Sequence, residues 1–116
     1  MFKLSEQAQV CIEACIACAR ACEFCATSCL REDKEMLAMM VECIRLDRDC
    51  ADLCSLCARF LARGSDLDAE LCRLCATACE LCAEECATHD VEHCQRCAEA
   101  CRKCAQACRA LAEAEA

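Results

Sequence analysis

Cysteine occupies the positions along this chain at which a helical protein usually carries Leu or Ile. The cysteines form four stretches, and in the first, third and fourth the gaps between them alternate between three and four residues. This spacing places side chains on one seam of an α-helix, like the a and d positions of a bundle. The four stretches are Cys11, Cys15, Cys18, Cys22, Cys25 and Cys29; Cys43, Cys50, Cys54 and Cys57; Cys72, Cys75, Cys79, Cys82 and Cys86; and Cys94, Cys97, Cys101, Cys104 and Cys108.

Polar segments separate the four stretches and predict where helices end. Gly64, the one glycine of a chain without proline, is a favoured C-terminal cap. The pattern predicts helices at residues 5–30, 34–62, 67–87 and 91–113. Because the connections are short, we expect antiparallel neighbours in an up-down-up-down four-helix bundle. The fold class is therefore all-α, with residues 1–116 forming one domain.

Charge and cysteine content indicate which partners and which cellular compartment to expect. The chain has 116 residues, 20 of them cysteine, and a formal net charge of −8. It has no basic stripe and few aromatic residues, so nucleic acid is not an expected partner. The first residues lack the apolar core of a signal peptide, and no run approaches the ~18 apolar residues of a membrane span. We therefore expect a cytoplasmic protein without a membrane partner, whose thiols stay reduced.

So many cysteines in register indicate a ligand set. A core made only for stability would use Leu, which buries more apolar surface than Cys. Twenty thiolates would hold five Zn²⁺ ions in groups of four and keep ten negative charges, whereas twenty Cu(I) ions would neutralise them. Copper(I) also accepts two or three sulfur ligands, which pairs at i,i+3 and i,i+4 supply. The alternatives that stay open are a zinc or mixed soft-metal buffer and a thiol redox buffer.

Other uses of the cysteines fit the pattern less well. Ferredoxin signatures place cysteines on tight loops and add proline, which is absent here. Neighbours at i,i+3 or i,i+4 on one helix also form poor disulfides. No paired carboxylates, activated nucleophile or phosphate-binding loop stands out. We therefore expect a binding protein and not an enzyme.

The helical stripes of Cys-x-x-Cys and Cys-x-x-x-Cys, from Cys11 to Cys108, resemble the bacterial copper storage proteins, specifically their cytosolic branch. The resemblance implies a four-helix bundle that loads many Cu(I) ions along its core and assembles as a homotetramer. It also implies that all twenty cysteines line the core as thiolates, with a copper chaperone or copper enzyme as a further partner. The second helix departs from the pattern, because its stripe has only four cysteines.

The predicted topology makes the two ends of the bundle different. One end collects the candidate neutral Cu(I) ligands Met36, Met40, His89 and His93, near Met39, Cys29 and Cys86. Thioethers and imidazoles could pass ions inward to the stronger thiolates, so we expect copper to enter at this end. Alternatively, the methionines plug the core and the histidines are solvated. The opposite end is expected to be sealed by Leu61, Leu67, Leu71 and Leu111.

Two further predictions concern residues outside the cysteine set. Asp47 lies seven residues before Cys54, in the register of the stripe. We expect Leu46 to turn inward by a small rotation of the helix and Asp47 to be solvated, in preference to a metal-linked carboxylate. Some apolar residues lie off the stripe, and one core cannot bury all of them, so they favour subunit contacts. They are Ile12, Ile16, Phe24, Leu53, Leu56, Phe60, Leu74 and Leu81.

Overall fold

A computed structural model describes residues 1–115 of the chain. Five helices follow one another: α1 (Glu6–Leu30), α2 (Lys34–Met39), α3 (Val41–Ala62), α4 (Asp68–Cys86) and α5 (Glu92–Ala114). No strand occurs among these 115 residues. The all-α prediction is confirmed. The predicted domain, residues 1–116, includes one residue that lies outside the described part of the chain.

The four long helices form an antiparallel bundle about a shared core. Helix α1 contacts α3 and α5, and helix α4 contacts the same two helices. Cys11 Sγ lies 3.6 Å from Cys108 Sγ near one end, while Cys43 Sγ lies 3.3 Å from Cys86 Sγ near the other. These contacts join the start of one helix to the end of a neighbour. The up-down-up-down topology follows, in a rod with extents of 54 × 20 × 19 Å.

Most helix boundaries fall within one residue of the predicted ones. Ser5 caps α1, where its side chain accepts a hydrogen bond of 3.0 Å from the Ala8 amide. Gly64 follows the end of α3 with φ 65°, a conformation that other residues rarely adopt. The capping role predicted for Gly64 is therefore confirmed.

The predicted continuous helix over residues 34–62 is wrong, because the chain breaks at Met40. Met40 has φ −105° and ψ 4°, and its amide bonds to the Leu37 carbonyl in a tighter turn that closes α2. Its side chain is fully buried in the core. Neither glycine nor proline marks the break, so helix propensity alone does not reveal it. Burial of the thioether offsets the irregular backbone.

The end of the bundle opposite Met40 is closed by aliphatic side chains. Leu61 and Leu111 are 1% and 3% exposed, and Leu71 is half-buried against the core. Leu67, also predicted to seal this end, is 54% exposed; here the prediction was wrong. Leu67 caps α4 at the surface, where its amide bonds to the Ser65 hydroxyl. We call this the closed end.

Several apolar residues of the off-stripe set stay at the surface. Ile16, Phe24, Leu74 and Leu81 are each about half exposed or more. The other four, Ile12, Leu53, Leu56 and Phe60, are partly buried. The bundle core therefore leaves apolar faces uncovered, as the sequence predicts. Between residues 1 and 115, no helix is both long and apolar enough to cross a membrane.

Candidate metal centre

All twenty cysteines face the interior of the bundle. Each is a free thiol, and each has no exposed surface. They fill the core from end to end because each long helix presents its cysteine seam inward, flanked by buried alanines such as Ala76 and Ala98. Alanine keeps the helices close, so sulfur forms most of the interior surface. The seam predicted from the spacing is therefore formed by the fold.

The sulfur atoms form one connected network when Sγ separations of up to 4.8 Å are included. Contacts between Sγ atoms range from 3.3 Å, as in Cys57–Cys72, to 4.0 Å, as in Cys18–Cys79. Most of these contacts join different helices; Cys18 and Cys101, for example, are 3.6 Å apart. A linear or trigonal Cu(I) ion needs two or three sulfur atoms at close range. The network offers such sets along its whole length.

Groups of four ligand atoms also occur in the core. Eight groups of three or more ligand atoms lie within 4.8 Å of one another, among them five sets of four thiols. The five sets are Cys15, Cys57, Cys75 and Cys108; Cys18, Cys50, Cys54 and Cys79; Cys18, Cys22, Cys50 and Cys101; Cys22, Cys82, Cys97 and Cys101; and Cys25, Cys29, Cys43 and Cys94. One helix cannot surround an ion with its own thiols, but the assembled bundle brings thiols from several helices into one group.

Asp47 is the residue for which the sequence prediction was wrong. Its carboxylate is fully buried, not solvated, while Leu46 is only partly buried. Three thiols donate hydrogen bonds to Asp47 Oδ1: those of Cys82 at 3.1 Å, Cys97 at 3.2 Å and Cys86 at 3.4 Å. These donors compensate for lost hydration, which allows a carboxylate to occupy a core position. The sequence signal was its register, seven residues before Cys54.

Burial controls the ionisation of this centre before metal binds. Burial of Asp47, with the nearby Cys97 and Cys43 sulfurs, raises the pKa of its carboxyl group to about 8. Burial likewise raises the pKa of the Cys29 thiol to about 11, and the nearby Cys43 adds to the increase. Many thiols cannot ionise together in a dry core, because their negative charges would repel one another. Metal loading must therefore release protons, and each bound Cu(I) replaces one positive charge with another.

His93 connects the protein surface to the sulfur network. It lies in the first turn of α5, and its Nδ1 is 3.4 Å from Cys25 Sγ and 3.6 Å from Cys94 Sγ. Its Nε2 is buried without a hydrogen-bond partner, and Glu32 Oε1 lies 3.6 Å away, beyond hydrogen-bond distance. The ring nitrogen is therefore close enough to two thiols to share a bound metal ion with them.

The other candidate residues of this end lie in different environments. Met40 is fully buried and Met36 is partly buried against the core, whereas Met39, which was not a predicted ligand, is 67% exposed. His89 Nε2 lies 2.9 Å from Glu85 Oε2, so this imidazole is held by a carboxylate. We call the end that contains Met36, Met40, His89 and His93 the Met/His end.

Comparison with protein families gives a match over nearly the whole chain. Residues 4–113 match the family model described as copper storage protein. The chain is also similar in structure to the Cu(I)-bound copper storage protein BsCsp3 of Bacillus subtilis, with 47% sequence identity and a TM-score of 0.87. That match covers 92% of this chain and 99% of the other.

Two further relatives match this chain. A cytosolic copper storage protein from Streptomyces lividans, in a structure described with five coppers, has 44% identity and a TM-score of 0.89, and the match covers 93% of each chain. An uncharacterised cysteine-rich protein of Bacillus subtilis is 46% identical over 72 residues. Those residues are 62% of this chain and 65% of that relative, so this chain matches slightly less than two thirds of the relative's length.

Proposed function

This chain belongs to the copper storage protein family, and we propose that it stores many Cu(I) ions along its buried cysteine core. The observation that carries the proposal is the connected network of twenty buried thiols. Relatives whose structures are described as Cu(I)-bound, or as carrying five coppers, support it. Thiolate and Cu(I) charges cancel one for one, which avoids leaving charge in a dry interior.

In this proposal all twenty cysteines are metal ligands. Bridging thiolates between neighbouring ions follow from sulfur–sulfur contacts such as Cys50–Cys79 at 3.5 Å and Cys54–Cys75 at 3.6 Å. A thiol that contacts sulfurs on two or more other helices can serve more than one ion. The storage capacity then scales with the length of the seam and not with a fixed number of separate sites.

We infer that Asp47 supplies an oxygen ligand within the thiol set nearest the Met/His end. Its Oδ1 already lies within 3.4 Å of Cys82, Cys86 and Cys97. Burial raises the pKa of the Asp47 carboxyl group to about 8, so on binding an ion the carboxyl group and these thiols would release their protons to solvent, and the carboxylate oxygen could then coordinate the ion that the sulfurs hold. This makes the Asp47 region the natural place for the first copper cluster.

We further propose that copper enters at the Met/His end. His93 Nδ1 lies beside Cys25 and Cys94, and Met40 reaches the core at the same end. A neutral imidazole or thioether binds Cu(I) more weakly than a thiolate, so an ion passes down a gradient of affinity. Met36 and His89 would make first contact, followed by His93 and the thiols behind it.

The remaining parts of the proposal concern the cellular setting. The chain would act as one domain, and it would act in the cytoplasm, since the Streptomyces lividans relative is described as cytosolic. It would have no catalytic role and would exchange copper with a chaperone or a copper enzyme. The exposed Ile16, Phe24 and Leu74 would be covered in a homo-oligomer, a tetramer by family resemblance.

An anaerobic titration tests the storage function. Cu(I) is added to the reduced chain in competition with a strong chromogenic Cu(I) chelator. Tight binding well beyond ten ions per chain is expected, because only the connected network can hold that many. Saturation at a few ions, or removal of all copper by the chelator, would overturn the proposal.

A further inference from the structure

Both histidines of the Met/His end face a carboxylate with the same ring nitrogen. His89 Nε2 lies 2.9 Å from Glu85 Oε2, and His93 Nε2 lies 3.6 Å from Glu32 Oε1. The first distance is that of a hydrogen bond, whereas the second is too long for one. His93 Nε2 is also buried, and it has no hydrogen-bond partner within the described residues. The outer nitrogen of His93 is therefore left unsatisfied, while that of His89 is not.

The inner nitrogen of His93 decides where the ring proton has to lie. Nδ1 is 3.4 Å from Cys25 Sγ and 3.6 Å from Cys94 Sγ. A neutral imidazole carries one proton, and the nitrogen that binds a metal ion must be the one without it. If Nδ1 shares Cu(I) with these thiolates, the proton lies on Nε2. The opposite tautomer would point the Nε2 lone pair at the Glu32 carboxylate, which is unfavourable because both groups are electron-rich.

The Glu32 carboxylate is an acceptor within reach of that proton. Its side chain is 32% exposed, and within residues 1–115 it forms no ion pair except that with His93. A small rotation of the Glu32 side chain would shorten the 3.6 Å separation to a charge-assisted hydrogen bond of about 2.8 Å. Glu32 can therefore satisfy the buried N–H that copper binding at Nδ1 requires.

The backbone around Glu32 is held by the caps of two helices. The Glu32 amide donates a hydrogen bond of 3.2 Å to the Cys29 carbonyl at the end of α1. Asp33 caps α2, where its carboxylate accepts a hydrogen bond of 2.9 Å from the Met36 amide. The connection between α1 and α2 is thus fixed on both sides of Glu32, and only the side chain has to move to reach the His93 ring.

We propose that Glu32 is a positioning residue for copper uptake: it accepts the Nε2–H of His93 and so directs the Nδ1 lone pair toward Cys25 and Cys94. A carboxylate in this place fixes the tautomer and orientation of a metal-binding imidazole and increases its basicity. The inference rests on the proposed entry of copper at the Met/His end. It assigns a role to a residue that acts through the ring of His93 and not as a ligand itself.

Nuclear magnetic resonance of the full chain with ¹⁵N-labelled histidine tests the hydrogen bond. The chain has two histidines, so the ring signals are few. On full loading with Cu(I), we expect the His93 Nδ1 resonance to shift, as ligation requires, and a downfield, slowly exchanging Nε2–H to appear. Glu32→Ala should keep the first change and lose the second. A slowly exchanging Nε2–H in Glu32→Ala, or a ring proton on Nδ1 in the loaded chain, would overturn the proposal.

Loading kinetics test whether the hydrogen bond matters for uptake. Loss of such an outer-shell partner typically costs roughly 10–100-fold in metal affinity or activity, so stopped-flow mixing with a Cu(I) complex should show Glu32→Ala loading at least about tenfold more slowly. Glu35→Ala removes the same charge from an exposed position on α2 and should load at the unmodified rate. Circular dichroism checks that both variants remain helical. Equal rates for the two variants would contradict a specific role of Glu32.

A double variant shows whether Glu32 acts through His93. His93→Asn alone should slow loading. Glu32→Ala added to it should cause no further loss, because no ring remains to be positioned. A further slowdown in the double variant would mean that the Glu32 charge acts directly on incoming copper, and the positioning role would be wrong.

The same measurements separate this proposal from the storage function and from the entry of copper. If copper capacity stays high and the His93 Nδ1 signal shifts, but Glu32→Ala loads at the unmodified rate, only the role of Glu32 is wrong. If His93→Asn also loads at the unmodified rate, entry beside His93 is wrong and the role of Glu32 falls with it. If copper saturates at a few ions, the storage function is wrong, and the His93 ring signals still decide whether Glu32 holds the ring.

Discussion

The two ends of the bundle are built from opposite chemistry although they terminate the same core. At the closed end, Leu61 and Leu111 cover the last cysteines with aliphatic groups that cannot bind metal. At the Met/His end, the core finishes in Met40 and in His93, whose ring touches two thiols. The comparison shows that the sulfur core is uniform along its length while its two ends differ in the ligands they offer. In the proposed function copper binds at every level of the seam, and the soft neutral ligands would guide it in at the Met/His end.

The largest expected effect comes from opening the closed end. Leu61→Ala should lower the free energy of unfolding by about 2–5 kcal/mol, because it leaves a cavity beside the buried cysteines. Leu67→Ala, at an exposed leucine of the same end, should change it by less than about 0.5 kcal/mol. Chemical denaturation of the reduced, copper-free chain measures both. Equal losses would mean that the closed end is not sealed as described.

A change of ligands at the Met/His end should affect the rate of loading and not the capacity. The variant carries Met36→Leu, Met40→Leu, His89→Asn and His93→Asn, which removes soft ligands while keeping similar side-chain volumes. Stopped-flow mixing with a Cu(I) complex should show loading slowed by at least about tenfold, equivalent to roughly 1.4 kcal/mol of barrier. The total copper bound at equilibrium should stay close to that of the unmodified chain.

The control for that experiment adds thioethers to the other end. Leu61→Met with Leu111→Met conserves volume and keeps the seal, so the loading rate should not change. Faster loading of this control would show that ions also reach the core from the closed end. Unchanged loading of the four-residue variant would remove the uptake role of the Met/His end.

Asp47 makes the Met/His half of the core sensitive to pH. Its pKa is about 8 in the folded chain against an ordinary value of 3.8, so the folded state holds this proton more tightly. The stability it contributes is complete at low pH and is lost as pH rises toward 8. In the copper-free protein, the change in unfolding free energy caused by Asp47→Asn should therefore depend on pH. Relative to the unmodified chain, the variant should be more stable at pH 9 than it is at pH 5, by about 1–2 kcal/mol. Denaturation at the two pH values measures the difference.

The neighbouring Asp49 provides the control for this pH dependence. It lies on the same helix but is exposed, so Asp49→Asn should change the free energy of unfolding by the same amount at both pH values. A pH response as large as that of the Asp47 variant would show that general charge reduction causes the effect. Loss of the difference between the two variants would contradict the raised pKa of Asp47.

The smallest effect is expected at the turn of the closed end. A Cβ atom on Gly64 would lie 2.7 Å from the Phe2 ring, and the residue has φ 65°. Gly64→Ala should therefore cost about 1 kcal/mol of unfolding free energy. Adding Phe2→Ala removes the contact and should recover part of the loss. Thermal unfolding of the single and double variants measures this, and an unchanged Tm in Gly64→Ala would contradict the tight turn.

The sequence predicted the features that depend on periodicity. Gaps of three and four residues, and of seven between Cys43 and Cys50, place the cysteines of each long helix on one seam, and Gly64 marks a turn, so the bundle and its thiol core could be predicted in advance. Met40 and Asp47 escaped prediction for physical reasons. The break at Met40 depends on burial of its side chain, which no local signal encodes. Asp47 was expected in solvent because an isolated buried charge is costly, yet thiols from α4 and α5 provide its hydrogen bonds.

The measurement that tests the central claim most directly is anomalous diffraction at the copper edge from crystals of the fully loaded chain. Copper peaks are expected at every level of the core, from the Cys11–Cys108 contact at the closed end to Cys25 and Cys94 beside His93. Each peak should lie among two or three sulfurs. Peaks confined to the Met/His end, or to the protein surface, would contradict storage along the whole seam.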